Sequence, residues 1–245
     1  MINLDGKRAL VCGGTSGIGK AAVTALKDCG ADVVILSRSA SGKNSIACDL
    51  EDLDSLTISV TQEIENNGNF DILINNSGGP PSGPLIDATP NDFEKAFLRH
   101  ILASQILVQL LLPGMQALKY GRIINIISTS VKEPIPGLGV SNTIRGAMAS
   151  WSKTMSKELP PSITINNVLP GFTDTERLAE LKTTLSVQKG ISEADVENAW
   201  LATVPEGRLA DPSELGSVIA FLSSPAASFV RGTSIPVDGG RTGSI

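Results

Sequence analysis

The chain has 245 residues, a formal net charge of −5 and an apolar share of 41%, which suits a single α/β domain with a sizeable core. No basic stripe is present, so the composition argues against a nucleic-acid partner. The sequence shows neither a signal-peptide pattern nor an uninterrupted apolar run of membrane-spanning length, so we expect a cytoplasmic protein with no membrane partner. The three cysteines are scattered and there is one histidine. We therefore expect buried free thiols and no metal site.

A glycine-rich turn is the first motif in the chain. Gly13, Gly17 and Gly19 have the spacing G-x-x-x-G-x-G, after a short apolar run and before a segment with helical apolar spacing. Glycines allow the backbone to approach a pyrophosphate closely, and a helix N-terminus supplies free N–H groups with a partial positive charge. Strand, turn and helix together predict dinucleotide binding, and a tight turn without a ligand is the alternative.

Apolar, β-rich runs alternate with helical patterns along the whole chain. This alternation predicts a doubly wound parallel sheet of about seven strands with helices on both faces, in one domain spanning 1–245. A variable helical segment near 174–205 is expected to form a lid-like insertion. The predicted strands are 9–11, 32–36, 45–48, 72–75, 122–127, 164–169 and 234–237, and the predicted helices lie near 18–29, 51–66, 90–112, 140–158 and 211–223.

The ends of the second and third strands carry polar residues that bear on the cofactor. Ser37 and Arg38 end the second strand, and an arginine there suits the 2′-phosphate of NADP, whereas an acidic residue would hold the ribose hydroxyl of NAD. The sequence therefore favours NADP(H) over NAD(H), with a solvated loop arginine as the alternative. Asp49 follows the third strand, where it could hydrogen-bond the adenine, cap the next helix, or do both.

Later strand ends and one long helix supply further candidates. Asn75 and Asn76 follow the fourth strand, where amide side chains are expected to fix the backbone beside the glycine turn. Ser128 ends the fifth strand at the edge where ligands bind, with an ordinary polar strand end as the alternative. The helix from Asp92 to Leu112 is apolar on two faces, one for the sheet and one suited to a subunit interface, and it contains His100, the chain's only histidine.

Taken together, these landmarks resemble the short-chain dehydrogenase/reductase family. Further matching stretches are 121–126, 166–171 and 237–240, and the pattern is most similar to the branch containing 3-oxoacyl-acyl-carrier-protein reductases. The resemblance covers essentially the whole chain and implies a Rossmann fold, a nicotinamide cofactor and frequently a homotetramer, which we expect to form through the helices near 90–112 and 140–158. It places the cofactor on Gly13, Thr15, Ser16, Gly17, Ile18, Gly19, Ser37, Arg38, Asp49, Leu50, Asn76, Ser77, Gly78, Arg145, Pro170, Gly171, Thr173 and Thr175.

The chain departs from this family at its catalytic residues. Family members usually carry an asparagine, a serine and a Tyr-x-x-x-Lys motif. Counting from Ser128, the tyrosine and lysine positions are occupied here by Ser141 and Arg145, and the helix asparagine aligns with His100. The only tyrosine in the chain is Tyr120, which is not followed by the lysine.

The departure changes the chemistry that is available. Serine is a far weaker acid than a phenol, and Arg145 cannot donate a proton because its pKa lies above about 12, although it can bind a ribose hydroxyl, an oxyanion, a carboxylate or a phosphate. Our hypothesis is that His100 supplies the proton directly or through water beside Ser141, and the alternative is that it only packs or hydrogen-bonds within its helix. The sequence thus predicts an NADP(H)-dependent oxidoreductase of a small carbonyl or alcohol, with Ser128, Ser141, Arg145 and His100 as catalytic candidates. The alternative is a cofactor-binding sensor or assembly partner.

Overall fold

The computed structural model describes residues 2–244, and its central element is a seven-stranded sheet. All strands are parallel, and their spatial order is β3-β2-β1-β4-β5-β6-β7, which confirms the predicted Rossmann-type fold. The strands are β1 Arg8–Cys12, β2 Asp32–Ser37, β3 Ser45–Ala47, β4 Ile72–Asn75, β5 Gly121–Ile126, β6 Ile163–Pro170 and β7 Ser234–Val237.

Helices cover both faces of the sheet. They are α1 Gly17–Asp28, α2 Leu53–Asn67, α3 Pro90–Phe97, α4 Ala103–Leu118, α5 Gly139–Glu158, α6 Glu176–Lys189, α7 Glu193–Leu201 and α8 Pro212–Ser223. On one face α2 and α4 pack against the strands, and on the other face α1 and α8 do so. Because both faces are covered, the central strands are buried along nearly their whole length, which explains their continuous apolar sequences.

A ladder of buried amides runs across the sheet. The strand register aligns Asn75 of β4 with Asn125 of β5 and Asn125 with Asn167 of β6. Each Nδ2 donates to the next Oδ1, at 2.8 Å from Asn75 to Asn125 and 2.9 Å from Asn125 to Asn167, and Asn167 donates to the Ser234 hydroxyl at 3.0 Å. The ladder satisfies polar groups that would otherwise be costly to bury.

Several predicted boundaries differ from those of the structure. The helix predicted near 90–112 extends from Pro90 to Leu118, and a π-helical turn over Leu98–Leu102 separates α3 from α4. The proposed capping role of Asp49 is wrong, because α2 begins at Leu53 and Asp52 caps it by accepting a hydrogen bond from the Ser55 amide.

The segment Pro90–Leu118 also bears on the membrane prediction. It is long and apolar enough to cross a membrane by length and composition alone, with a mean hydropathy of 1.6 over its most apolar window, so the expectation that no such run exists needs correction. In the fold this segment packs against the sheet through buried side chains of α4, namely Leu107, Val108, Leu111 and Met115. A core helix of this kind has the same composition as a membrane span.

The cysteines follow the prediction with one difference. All three are free; Cys12 and Cys48 are buried, whereas Cys29 is only half-buried. Burial raises the pKa of the Cys12 thiol to about 12, so this side chain behaves as a small apolar group.

Candidate active site

An open cleft of about 610 Å³ lies at the carboxyl edge of the sheet, where doubly wound folds bind their ligands. Its volume is within the range of small-molecule and cofactor sites. Of the residues expected to bind the cofactor, all except Gly19 line it, and the catalytic candidates Ser128, Ser141 and Arg145 line it as well. The structure therefore brings these predicted residues together around one space, while their binding roles stay predictions.

The glycine turn is shaped by close backbone packing. Gly13 has φ +61°, and a Cβ there would lie 2.7 Å from Asn76 Nδ2. A Cβ on Gly19 would overlap the Gly13 carbonyl oxygen, so Gly19 serves the packing of the turn and not the wall of the cleft. Asn76 Nδ2 donates to the carbonyls of Cys12 and Gly13 at 3.2 and 3.3 Å, which confirms that an amide after β4 fixes the backbone of this turn.

The N-terminus of α1 fits a phosphate group. Its N-cap, Ser16, makes no side-chain capping bond, so the first amides of the helix are not satisfied by that side chain. These amides adjoin Gly13, Thr15 and Gly17 in the wall of the cleft. The two glycines carry no Cβ that would keep a phosphate group away from the backbone. Free amides, helix dipole and glycine backbone form the arrangement that binds a pyrophosphate.

Ser37, Arg38 and Asp49 lie at the carboxyl ends of β2 and β3, in the wall of the cleft. The Ser37 hydroxyl is buried and has no hydrogen-bond partner among residues 2–244. The Arg38 side chain is 80% exposed and only 3.9 Å from the partly exposed Asp49 carboxylate, an ion pair too exposed to contribute much stability. Arg38 is thus free to reorient toward an anionic group such as a 2′-phosphate.

The catalytic candidates Ser128, Ser141 and Arg145 come from the end of β5 and the first turns of α5. Ser128 follows β5, and its hydroxyl accepts a hydrogen bond from the Ser130 amide at 3.1 Å. Ser141 and Arg145 are one helical turn apart on α5, so their side chains share a face of that helix. The sequence spacing that identified these residues therefore corresponds to real proximity in the fold.

Arg145 is a buried cation without an anionic partner. Its residue is 8% exposed, its Nη1 donates to the Ile126 carbonyl at 2.9 Å, and no carboxylate in the described part of the chain pairs with it. Burial, and then the charge of Arg99, lower the pKa of Arg145 to about 10, so it is cationic at neutral pH. An unpaired charge in this position favours an anion or a developing negative charge in the cleft.

His100 lies behind the cleft, in the π-helical turn, and is 3% exposed. Its Nδ1 is 2.6 Å from the Ser77 hydroxyl oxygen. Burial, followed by the charges of Arg145 and Arg99, lowers the pKa of His100 to about 2, so its imidazole is neutral at neutral pH. Because His100 does not line the cleft, its placement disfavours direct proton donation to a substrate and favours a hydrogen-bonding role toward the turn after β4.

Two features of the site had no signal in the sequence. Arg99 donates to the Glu51 carboxylate and, at 3.1 Å, to the Gly78 carbonyl, so it ties the end of the third strand's loop to the turn after β4. Arg177 of α6 donates to the Pro80 carbonyl at 3.3 Å across the mouth of the cleft. Both contacts join residues far apart in the chain, and local patterns do not predict such pairs.

The insertion near 174–205 consists of α6 and α7. Lys182 and Glu197 join the two helices through an ion pair of 2.7 Å, and Thr183 donates to Glu193 at 2.7 Å. Only α6 and its preceding turn contribute to the cleft, with Glu176, Arg177, Leu178, Glu180 and Leu181 in its wall. Its function as a lid stays a proposal.

Comparisons with known proteins agree with this architecture. A family model described as enoyl-(acyl carrier protein) reductase matches residues 13–242. The 3-oxoacyl-[acyl-carrier-protein] reductase FabG of Vibrio cholerae is 31% identical over 98% of each chain, and the NADPH-dependent reductase BacG of Bacillus subtilis is 29% identical over 98% of this chain and 99% of its own.

Solved structures give the same result. L-sorbose reductase from Gluconobacter frateurii, determined with NADPH and L-sorbose, superposes with a TM-score of 0.91 at 25% identity over 99% of each chain. These relatives are oxidoreductases, so they lend no support to the alternative of a sensor without redox activity. With the sheet order, the glycine turn and the cleft already established, the chain belongs to the short-chain dehydrogenase/reductase family of NAD(P)-dependent oxidoreductases.

Proposed function

We propose that the chain catalyses the NADP(H)-dependent reduction of a small carbonyl compound, or the reverse oxidation of an alcohol, with the 3-oxoacyl type as the first substrate class to examine. The observation that carries this proposal is the buried, unpaired Arg145 cation on the same cleft as Ser128, Ser141 and the glycine turn. When bound, the nicotinamide cofactor supplies or accepts the hydride. The chain's own residues must therefore bind the cofactor, orient the substrate, stabilise the negative charge on the carbonyl oxygen and allow a proton to reach it.

Different residues of the cleft suit the two phosphate-bearing parts of the cofactor. The amides at the start of α1, near Ser16 and Gly17, suit the pyrophosphate. Arg38, with Ser37 beside it, suits the 2′-phosphate, because a guanidinium pairs well with phosphate oxygens. The NADPH dependence of BacG and the NADPH-bound structure of sorbose reductase support the same preference.

Arg145 stabilises the negative charge that develops on the substrate in this proposal. Reduction of a carbonyl places negative charge on its oxygen, and a desolvated guanidinium stabilises such charge more strongly than one in water. The Ser128 hydroxyl is a second donor at this end of the cleft. A substrate carboxylate or phosphate can pair with the same cation, so Arg145 also selects for anionic substrates.

The proton comes from water in this proposal. A serine side chain is shorter than a tyrosine, so a water molecule has room beside Ser141 in a cleft that is open to solvent. That water gives its proton to the alkoxide while Arg145 stabilises the charge, and the resulting hydroxide is neutralised by solvent. Direct transfer from His100 is not needed, which agrees with its position behind the cleft.

We infer a cytoplasmic homo-oligomer, a tetramer or dimer, assembled through the helices near 90–112 and 140–158. Exposed apolar side chains on the first of these elements, such as Phe97 and Leu118, support an interface there. Light scattering coupled to gel filtration measures the oligomeric state directly, and a monomer at micromolar concentration would contradict the inference.

The cofactor preference is tested by calorimetric titration of NADPH and NADH into the wild type and Arg38→Ala. We expect NADPH to bind at least about tenfold more tightly than NADH, and the substitution to remove that difference by weakening NADPH alone, since charged hydrogen bonds contribute about 1.5–3 kcal/mol. Lys132→Ala removes one positive charge outside the cleft and serves as the control. Equal binding of both cofactors by the wild type would contradict the proposed preference.

A further inference from the structure

A small chamber lies directly behind the cleft. Its volume is about 10 Å³, which is the space of roughly one water molecule. Ser77, Arg99 and Arg145 line both the cleft and the chamber, whereas Asn75 and His100 line only the chamber. Arg145 therefore borders both the open cleft and this smaller space.

Three buried polar atoms of the chamber's lining residues have no hydrogen-bond partner within residues 2–244. They are Nε2 of His100, Nε of Arg145 and Oδ1 of Asn75. An unsatisfied buried polar atom is costly, and three such atoms in residues around one small space are unusual in a native fold.

The chemical character of each atom is set by its neighbours. The amide ladder uses Asn75 Nδ2 as a donor to Asn125, which leaves Asn75 Oδ1 as an acceptor. Nε2 of the neutral His100 ring donates or accepts according to which ring nitrogen carries the hydrogen. Arg145 Nε is always a donor. The chamber thus offers one donor, one acceptor and one ring nitrogen that can act as either.

Only an amphoteric ligand satisfies that set. An anion has no hydrogen to donate to Asn75 Oδ1, and the Arg145 charge repels a cation at this short range. A water molecule accepts two hydrogen bonds and donates at least one, so it matches the chamber in both size and hydrogen-bonding capacity.

We infer that the chamber binds one water molecule that bridges His100 Nε2, Arg145 Nε and Asn75 Oδ1, and that His100 and Asn75 are thereby positioning residues for Arg145. The water holds one side of the guanidinium while the Ile126 carbonyl holds Nη1. Nη2 is then directed away from both, toward the loop after β4, where a Cβ on Gly79 would lie 3.9 Å from it. The inference concerns the unliganded chain, so it does not depend on the proposed reaction.

The test is heteronuclear NMR of the labelled, unliganded full chain, in which the sole histidine gives unambiguous ring signals. We expect cross-relaxation of a long-lived water with the Arg145 Nε–H and with the His100 ring hydrogens on either side of Nε2. Absence of a water contact at either group would overturn the inference.

Three variants distinguish loss of the bound water from a general disturbance of the packing. In His100→Leu the Arg145 Nε–H loses its long-lived water contact, and NADPH binding weakens about fivefold, as expected for one net hydrogen bond. Ser77→Ala removes the bond to Nδ1 but retains the water contact at Arg145. Ser152→Ala removes a buried, unpartnered hydroxyl elsewhere on α5 and leaves the contact unchanged. An unchanged water contact in His100→Leu would show that His100 is not a ligand, and the wild-type spectra decide the matter if that variant does not fold.

Discussion

The substitution His100→Gln removes a side chain whose protonation must change when the protein unfolds in mild acid. In the folded chain, burial and the cations Arg145 and Arg99 lower the pKa of His100 to about 2. In the unfolded chain it returns to about 6.5. Below that value the unfolded state binds a proton that the folded state does not, so the free energy of unfolding falls as the pH falls.

The magnitude follows from these two pKa values. Between about pH 7 and pH 5, protonation of the unfolded histidine lowers the free energy of unfolding by about 2 kcal/mol, while the folded state stays neutral. The charged groups nearest the ring are Arg145 and Arg99, with Glu51 paired to Arg99. Arg145, whose pKa is about 10, stays charged in this interval, and groups elsewhere affect wild type and variant alike.

Urea unfolding followed by circular dichroism at both pH values measures this difference. We expect the wild type to lose about 2 kcal/mol more than His100→Gln on going from about pH 7 to pH 5, at equal protein concentration. Because the chain has one histidine, no other imidazole contributes. Equal losses in the two proteins would refute the reasoning that His100 is buried in its neutral form.

Two further predictions concern the framework of the site. Gly19→Ala should abolish NADPH binding measurable by calorimetric titration, because a Cβ there overlaps the Gly13 carbonyl oxygen. The control Gly146→Ala lies on α5, where nothing is within 4 Å of the added carbon, and it should raise the free energy of urea unfolding by about 0.5–1 kcal/mol. Asn125→Ala breaks two ladder bonds and should cost about 2–4 kcal/mol, so urea unfolding with an unchanged midpoint would contradict the stabilising role of the ladder.

Much of the fold could be predicted from the sequence because its signals are local. A continuous apolar run predicts a strand covered on both faces, and Gly13 to Gly19 mark the turn that follows β1. The order of such elements then restricts the topology to a doubly wound sheet. The helix capped by Asp52 was misplaced by two residues, because several acidic residues at 49–54 could cap it with equal plausibility.

The site could be predicted only in part, for a physical reason. Ser141 and Arg145 were found through their spacing, which fixes their relation on one helix. The pairing of Arg99 with Glu51, and the position of His100 behind the cleft, depend on how distant segments pack. A histidine's ordinary pKa suggested a proton donor, but burial beside two arginines changes that group into a neutral hydrogen-bonding residue.

The central claim is that this chain is an active oxidoreductase although it lacks a phenol acid, with Arg145 stabilising the developing charge. The most direct measurement is NADPH oxidation with a panel of carbonyl compounds, including 3-oxoacyl thioesters, by the wild type, Arg145→Met and the double variant Ser141→Tyr/Arg145→Lys. We predict turnover by the wild type and a loss of about a hundredfold or more in Arg145→Met, since removing one such donor costs roughly that much. An inactive wild type that binds NADPH, together with an active double variant, would contradict the account.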